Sequence, residues 1–396
     1  MNDPKTSEPM GATTCSSPPN SGPSRHGLGN LVESRSVVVC CGSGGVGKTT
    51  VAATFALEAA RRGRRACVVT IDPARRLADA LGLDTLTNTP KKIEGPWPGE
   101  LWALMLDPKG TFDDLVRHYA PSPEQAEGIL ANRIYRNLTG ALSGTQEYMA
   151  MEKLYELAEG GAYDIVVVDT PPTRNAIDFL EAPRRLTRFL GHRLFQLLLM
   201  PTRAYLRVVS VAAQALLRTI SKVAGAEIVH DAVAFFQAFE GMEEGFRLRA
   251  DHMRRLLARR TTAFVLVTCP RADTVGEAGW FADKLNESGL AVEGLVVNRV
   301  HPAFSKPTAA RPLPRAPEGS ALEALIENLR GYIAVNEREE ATLAKLVVEV
   351  APSPVALVPL LDIDVTDTQG LALMADHMFG MFDVPGGGRS RYAALP

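Results

Sequence analysis

The stretch SVVVCCGSGGVGKTT, residues 36 to 50, constrains this chain more than any other. An apolar, β-branched run ends in a glycine-rich turn that closes on Lys-Thr-Thr, and the residues that follow, TTVAATFALEAARRG, carry a helical pattern. Gly42, Gly47, Lys48 and Thr49 fit G-x-x-x-x-G-K-[ST] in the strand-to-helix context that the pattern requires. Glycines allow consecutive backbone N–H groups to converge on a β-phosphate, and the helix that follows offers its positive end. In such a loop Lys48 bridges β- and γ-phosphates and the Thr49 hydroxyl holds Mg²⁺.

Short apolar runs recur along the chain: SVVVCC (36 to 41), ACVVTI (66 to 71), LWALML (101 to 106), DIVVVD (164 to 169), AFVLVTC (263 to 269), VEGLVVN (292 to 298) and VALVPLL (355 to 361). They are continuous rather than alternating, as strands covered on both faces are, and most are separated by helix-length segments. The expected fold is α/β, a doubly wound, mostly parallel sheet of P-loop NTPase type spanning residues 36–383. Residues of about 107–160 and 178–258 are helix-patterned without strand runs and read as an inserted helical subdomain. Residues 301–320 are a Pro-rich loop, and residues 1–35 and 384–396 read as disordered tails. The first tail has no apolar core of signal-peptide length.

Charge and cysteine usage narrow the function classes. The net charge of -2 over 396 residues signals no general affinity for nucleic acid or anionic membrane. Five cysteines without a CxxC pair favour a reducing compartment and no metal cluster. No window reaches about 18 uncharged apolar residues, so a soluble, cytoplasmic protein is expected. Between Glu181 and Glu227 no acidic residue occurs, while Arg184, Arg185, Arg188, Arg193, Arg203, Arg207, Arg218 and Lys222 are basic. A surface for anionic lipid headgroups and an ordinary solvated helix face fit that stretch equally. His192, His230, His252 and His377 have no ligand-like spacing and read as surface or core histidines.

Two carboxylates stand at predicted strand ends, where ligands of such sheets bind. VVVDTPPT delivers Asp169 to the place of a carboxylate that reaches Mg²⁺ directly or through water. Asp72, in TIDPARRLADAL, is placed to orient a water near the γ-phosphate. Each has a plainer reading as a helix cap.

GSGGVGKTT, TIDPARRLADAL, VVVDTPPTRNAIDFL, LVVNRV and LVPLL stand in the order and spacing of the ArsA-like ATPases, within the deviant-Walker P-loop class that includes ParA and MinD. The chain resembles that family from residue 36 to about 380. The resemblance implies ATP and Mg²⁺ as ligands. It implies that Gly44, Gly45, Val46, Gly47, Lys48, Thr49 and Thr50 bind the phosphates and that Asp72 polarises the attacking water. Thr49 and Asp169 would serve the metal, Asn298 would hydrogen-bond adenine, and Pro359 and Leu360 would line the base pocket.

One departure stands out: the family's signature lysine, second residue of G-K-G-G-V-G-K-T, is here Ser43. A hydroxyl supplies neither its charge nor its reach across a dimer, which leaves Arg75, Arg76 or Arg174, or a paralogous subunit that keeps the lysine, as replacements. The leading functional reading is an ATP-hydrolysing dimeric switch, formed with itself or a paralogue, that handles a hydrophobic membrane-protein helix and meets a membrane transiently. Leu194, Leu197, Leu198, Met200, Leu206 and Val209 are candidate groove residues, with ordinary core packing equally open. The alternatives are the motor subunit of an anion or metalloid exporter and a ParA- or MinD-type positioning ATPase. No cysteine lies between Cys67 and Cys269, which weighs against an arsenite site; the GLALMADHMFGMF end helix (370 to 382) has no lysine or arginine, which weighs against membrane positioning. No nucleic-acid partner is expected.

Overall fold

The computed structural model describes residues 27–380 apart from 73–74, 134, 136–144, 191–241, 305–306 and 308–311. The apolar runs become strands because they can be buried on both sides. β1 (Val37–Gly42), β2 (Arg65–Thr70), β3 (Lys91–Ile93), β4 (Glu100–Met105), β5 (Ile165–Asp169), β6 (Thr262–Thr268), β7 (Val292–Val300) and β8 (Val355–Pro359) form one sheet in the order β3-β4-β2-β5-β1-β6-β7-β8. Every neighbouring pair is parallel except β3 and β4. β3 has no apolar run to announce it. Its Lys91 and Lys92 are exposed on a three-residue antiparallel edge, a charged, short margin of the kind that discourages further strand pairing.

Side chains on successive positions of β1 separate into two cores. Val37, Val39 and Cys41 join one, Val38 and Cys40 the other. The face of Val38 is covered by α1 (Gly29–Ser34), α2 (Lys48–Arg61), α3 (Arg76–Ala80) and α11 (Thr368–Phe379). The face of Val39 is covered by α4 (Pro108–Tyr119), α5 (Pro123–Ala131), α6 (Thr145–Glu159), α7 (Thr173–Leu190), α8 (Glu243–Leu257), α9 (Ala272–Glu287) and α10 (Ala321–Glu349). The described helices from the two long helical stretches share this core with the sheet: Leu115, Ile129, Met151, Phe179 and Met253 are buried together with Val37, Val39 and Val166.

Part of the stretch expected to be disordered is ordered. Residues 29–34 form α1, because Leu28, Leu31 and Val32 bury in the α2-side core despite their Gly- and Ser-rich surroundings. The end helix α11 lays Leu371, Met374 and Met378 against that same core, which accounts for its apolar spacing without a membrane. The candidate groove residues 194–209, together with His192 and His230, lie outside the described residues. His252 stacks on Tyr155 at 6.1 Å, and His377 is partly buried, which lowers its pKa. No described helix is long and apolar enough to cross a membrane.

The topology fixes where a ligand goes. β5, β2 and β4 lie on one side of β1, and β6, β7 and β8 lie on the other, so the strand order reverses at β1. The crevice of such a sheet opens beyond the carboxyl end of that strand, at Gly42 and the loop after it.

α2 is packed on all sides, and Phe55 is fully buried edge-on to Phe379 at 5.3 Å. Phe55→Ala is expected to lower the unfolding free energy by about 3–5 kcal/mol, the usual cost of deleting a buried aromatic ring, as read from urea denaturation.

Candidate functional site

The loop after β1 is shaped by two glycines against neighbouring chain. A Cβ on Gly42 would overlap the Val267 carbonyl of β6, and one on Gly47 would overlap the Asn298 amide. Gly47 has φ 93, the left-handed region that glycine enters without strain. Around Gly44 and Gly45, by contrast, a Cβ would meet nothing within 4 Å. The loop is therefore tight at its roots and open over its middle.

α2 begins directly after Gly47, and no side chain caps its first turn. Four other helices do carry such caps: Asp107 on α4, Ser122 on α5, Ser320 on α10 and Asp367 on α11. The uncapped N–H groups of α2 and the helix dipole are the equipment for an anion. The loop's carbonyls are engaged elsewhere. Asn298 Nδ2 donates to Val46 O at 2.9 Å, Arg299 Nη1 to Gly45 O at 3.1 Å, and Lys48 Nζ to Ser43 O at 2.8 Å. Held by their carbonyls, Gly45 and Val46 leave their neighbouring amides for the ligand side.

Lys48 is 8% exposed, and burial lowers the pKa of its ammonium, with Asp169 opposing that shift. Asp169 closes β5 in register with Thr70 of β2 and Cys40 of β1. Thr49 and Thr70 both donate their hydroxyls to Asp169 Oδ2 at 2.8 Å. Asp169 Oδ1 is buried and has no hydrogen-bond partner among the described residues. A buried carboxylate oxygen left unpaired beside a P-loop hydroxyl fits a hard cation that brings its own water, as Mg²⁺ does. Asp72 lies just past β2: its N–H reaches Thr70 Oγ1 at 3.2 Å, and its Oδ2 pairs with Arg76 Nη1 at 3.1 Å.

The structure thus brings Gly44, Gly45, Val46, Gly47, Lys48, Thr49, Asp72 and Asp169 together at the carboxyl ends of β1, β2 and β5. Thr50 follows in α2 and passes its carbonyl to Thr54. Asn298, Pro359 and Leu360 lie at the ends of β7 and β8, where the Leu360 N–H donates to Val300 O at 2.9 Å. One N–H of the Asn298 amide is spent on Val46 and its oxygen accepts from Arg299 N at 2.9 Å, so one donor and one lone pair remain. Ser43 is 4% exposed and its buried hydroxyl has no partner among the described residues. Of the arginines considered for the missing lysine, Arg75 donates to the Asp84 carbonyl, Arg76 holds Asp72, and the Arg174 side chain lies outside the described residues.

Two participants escaped sequence reading. Thr70 links the Asp169 carboxylate to the backbone N–H of Asp72, and its only signal was its position at a strand end, which becomes informative once Asp169 is its register partner. Arg299 touches the loop from 254 residues away, through a break in the β7–β8 register that no local pattern reports.

Compared with known proteins, residues 35–311 match the family model described as anion-transporting ATPase. The chain is 30% identical over 165 residues to ATPase GET3 of Malassezia globosa, covering 41% of this chain and 47% of that protein. It is 29% identical over 151 residues to ATPase get3 of Aspergillus terreus, covering 38% and 44%. It is 33% identical over 267 residues to an uncharacterised protein of Streptomyces coelicolor, covering 66% and 61%. The chain spans about half the length of the GET3 relatives it matches.

Burial is the largest influence on Asp169 and raises its carboxyl above the ordinary value of 3.8, while the Thr49 and Thr70 hydroxyls and Lys48 pull it back. The folded chain therefore holds this proton more tightly than the unfolded chain. The group's contribution to stability is full below the ordinary carboxylate pKa and is lost as pH rises through the window up to the raised folded value. A cation needs the ionised form, so Mg²⁺-dependent nucleotide binding is expected to weaken as pH falls through that raised value. Calorimetric Mg²⁺ titrations at pH 5 and pH 7.5 check this, and Asp169→Asn is expected to abolish the metal dependence at both.

Proposed function

This chain belongs to the anion-transporting ATPase family, and we propose that it hydrolyses ATP as a nucleotide-driven dimeric switch acting on a hydrophobic membrane-protein client. The observation that carries the nucleotide part is the pairing of an uncapped helix start and an open glycine loop with the Thr49–Asp169–Thr70 cluster and its unpaired carboxylate oxygen.

Each residue has a physical task in this reading. The loop amides from Gly44 to Thr50 bind phosphate oxygens, and Lys48 exchanges its hydrogen bond to the Ser43 carbonyl for the β,γ-bridging region of the nucleotide. Thr49 and Asp169 would hold Mg²⁺, which would supply charge neutralisation on the phosphates. Asp72 accepts a hydrogen bond from the water that attacks the γ-phosphorus, so the P–O bond to ADP breaks as the P–O bond to water forms, and the water's proton passes to the Asp72 carboxylate and from there to the departing phosphate. Arg76 competes for that same carboxylate, so Asp72 is restrained until the ion pair opens. Asn298, Pro359 and Leu360 border the base.

The dimer and the client rest on the family resemblance and on the relatives named ATPase GET3. Ser43 bears on the dimer: a buried hydroxyl cannot extend across an interface, so closure over two nucleotides depends on another cation of this chain or on a paralogous partner. The candidate client residues Leu194, Leu197, Leu198, Met200, Leu206 and Val209 form an apolar series in sequence. A second reading, the motor subunit of an anion exporter, is favoured by the family's description. A soft metalloid as cargo is disfavoured by the absence of cysteine between Cys67 and Cys269. The place of action we propose is the cytoplasm, with visits to a membrane.

Asp72→Asn is expected to bind Mg-ATP like the wild type and to lose turnover by about 10²–10⁴-fold, the usual worth of one acid–base group. Calorimetry and phosphate release measure the two arms, and near wild-type turnover removes Asp72 from the reaction. Light scattering of that variant with ATP and with ADP tests the switch: a mass doubled only with ATP is expected. Photocrosslinking to a hydrophobic helical peptide tests the client: capture that ignores the nucleotide and the 194–209 residues removes it.

A further inference from the structure

Arg299 follows Asn298 at the end of β7 in an unusual backbone state. Its φ is 60, and it is the non-glycine residue with positive φ among the described residues. Outside glycine and asparagine this region is costly, so a long side chain persists there only when the surroundings impose it and something repays the strain. The imposition is visible. The β7–β8 register breaks between Val297 and Val300, Asn298 Oδ1 accepts the Arg299 N–H at 2.9 Å, and His301 N is held by Glu339 Oε2 at 3.1 Å. A bulge pinned on both sides re-aims one side chain.

That side chain ends at the phosphate loop. Nη1 donates to Gly45 O at 3.1 Å, on the flank of the loop that faces β6, β7 and β8, away from Asp72 and Asp169. The side chain is exposed and has no carboxylate partner among the described residues, unlike Arg75's neighbour Arg76, which Asp72 holds. One bond from an exposed arginine to a carbonyl is a weak return for that backbone, since Asn298 already holds the adjacent carbonyl of Val46. A guanidinium keeps four further donors after that bond, in a planar fork suited to phosphate oxygens. Lys48 is committed inside the loop, to the Ser43 carbonyl, and the space over Gly44 and Gly45 is open.

We propose that Arg299 is the second cation of the nucleotide site, contacting the α,β-phosphate side of the bound nucleotide from the base end of the loop. The proposal rests on the nucleotide reading above. Because the α- and β-phosphates are present before and after hydrolysis, the contact acts on binding rather than on the chemical step, and ATP and ADP feel it alike.

The test uses the full chain with Mg-ATP and Mg-ADP, comparing wild type with Arg299→Ala, Arg299→Lys and Arg299→Gly by calorimetry, steady-state turnover and thermal melting. Ala and Gly are expected to weaken both nucleotides about tenfold, the worth of one charge-assisted contact, raising KM with kcat nearly unchanged, and Lys to keep most of the affinity. Gly, at ease with positive φ, is expected to melt no lower than wild type while binding more weakly. The proposal is overturned if Ala binds both nucleotides like wild type, if kcat falls along with affinity, or if Gly loses affinity together with thermal stability. In the last two cases Arg299 only braces the loop. A wild-type chain that binds neither nucleotide overturns the nucleotide reading itself and is thereby distinguished from the failure of Arg299 alone.

Discussion

A lysine at the start of α2 and an aspartate at the end of β5, both buried and close enough to feel each other's charge, set the terms for the rest of the molecule. Charges are expensive to bury, and each of these is tolerable because of the other and because two threonine hydroxyls turn toward the carboxylate. That arrangement needs three strand ends at the same level. The parallel register of Thr70 with Asp169 and of Asp169 with Cys40 supplies it, and the continuous apolar strands that hold the register need helices on both faces. The two cores can thus be read as the support of one polar cluster, in which Asp169 Oδ1 has no partner among the described residues.

The loop is governed by a division between its two sides. Outside, Asn298, Arg299 and the Cys269 thiol, the last at 3.8 Å from Val46 O, hold carbonyls. Inside, amides and an uncapped helix start are left for a ligand. Ser43 belongs to neither side: its hydroxyl is buried, while its carbonyl receives Lys48. The absence of a cation at that position and the presence at Arg299 of a guanidinium with no carboxylate partner among the described residues concern the same few ångströms of loop, reached from distant parts of the chain.

Much of this was legible before any coordinates. All seven apolar runs are strands, because a segment apolar on both faces has few places to go other than a covered sheet. The glycine loop, Lys48, Thr49, Asp72 and Asp169 were identifiable because their chemistry depends on local spacing and on strand ends. β3 was not legible, since an edge strand of Lys-Lys-Ile has no hydrophobic pattern to detect. α1 was hidden by the Gly- and Ser-rich residues around its few buried ones.

By itself, then, the sequence determined a wound parallel sheet and a glycine-rich loop of phosphate-binding pattern with two candidate carboxylates, all properties that follow from periodicity and short-range spacing. Only the tertiary structure decided which hydroxyls share Asp169, that Ser43 faces inward, and that Asn298 and Arg299 grip the loop. Those contacts join residues as far as 254 positions apart, and their existence depends on strand order, register and one bulge, which are consequences of packing the whole chain and leave no trace in any local window.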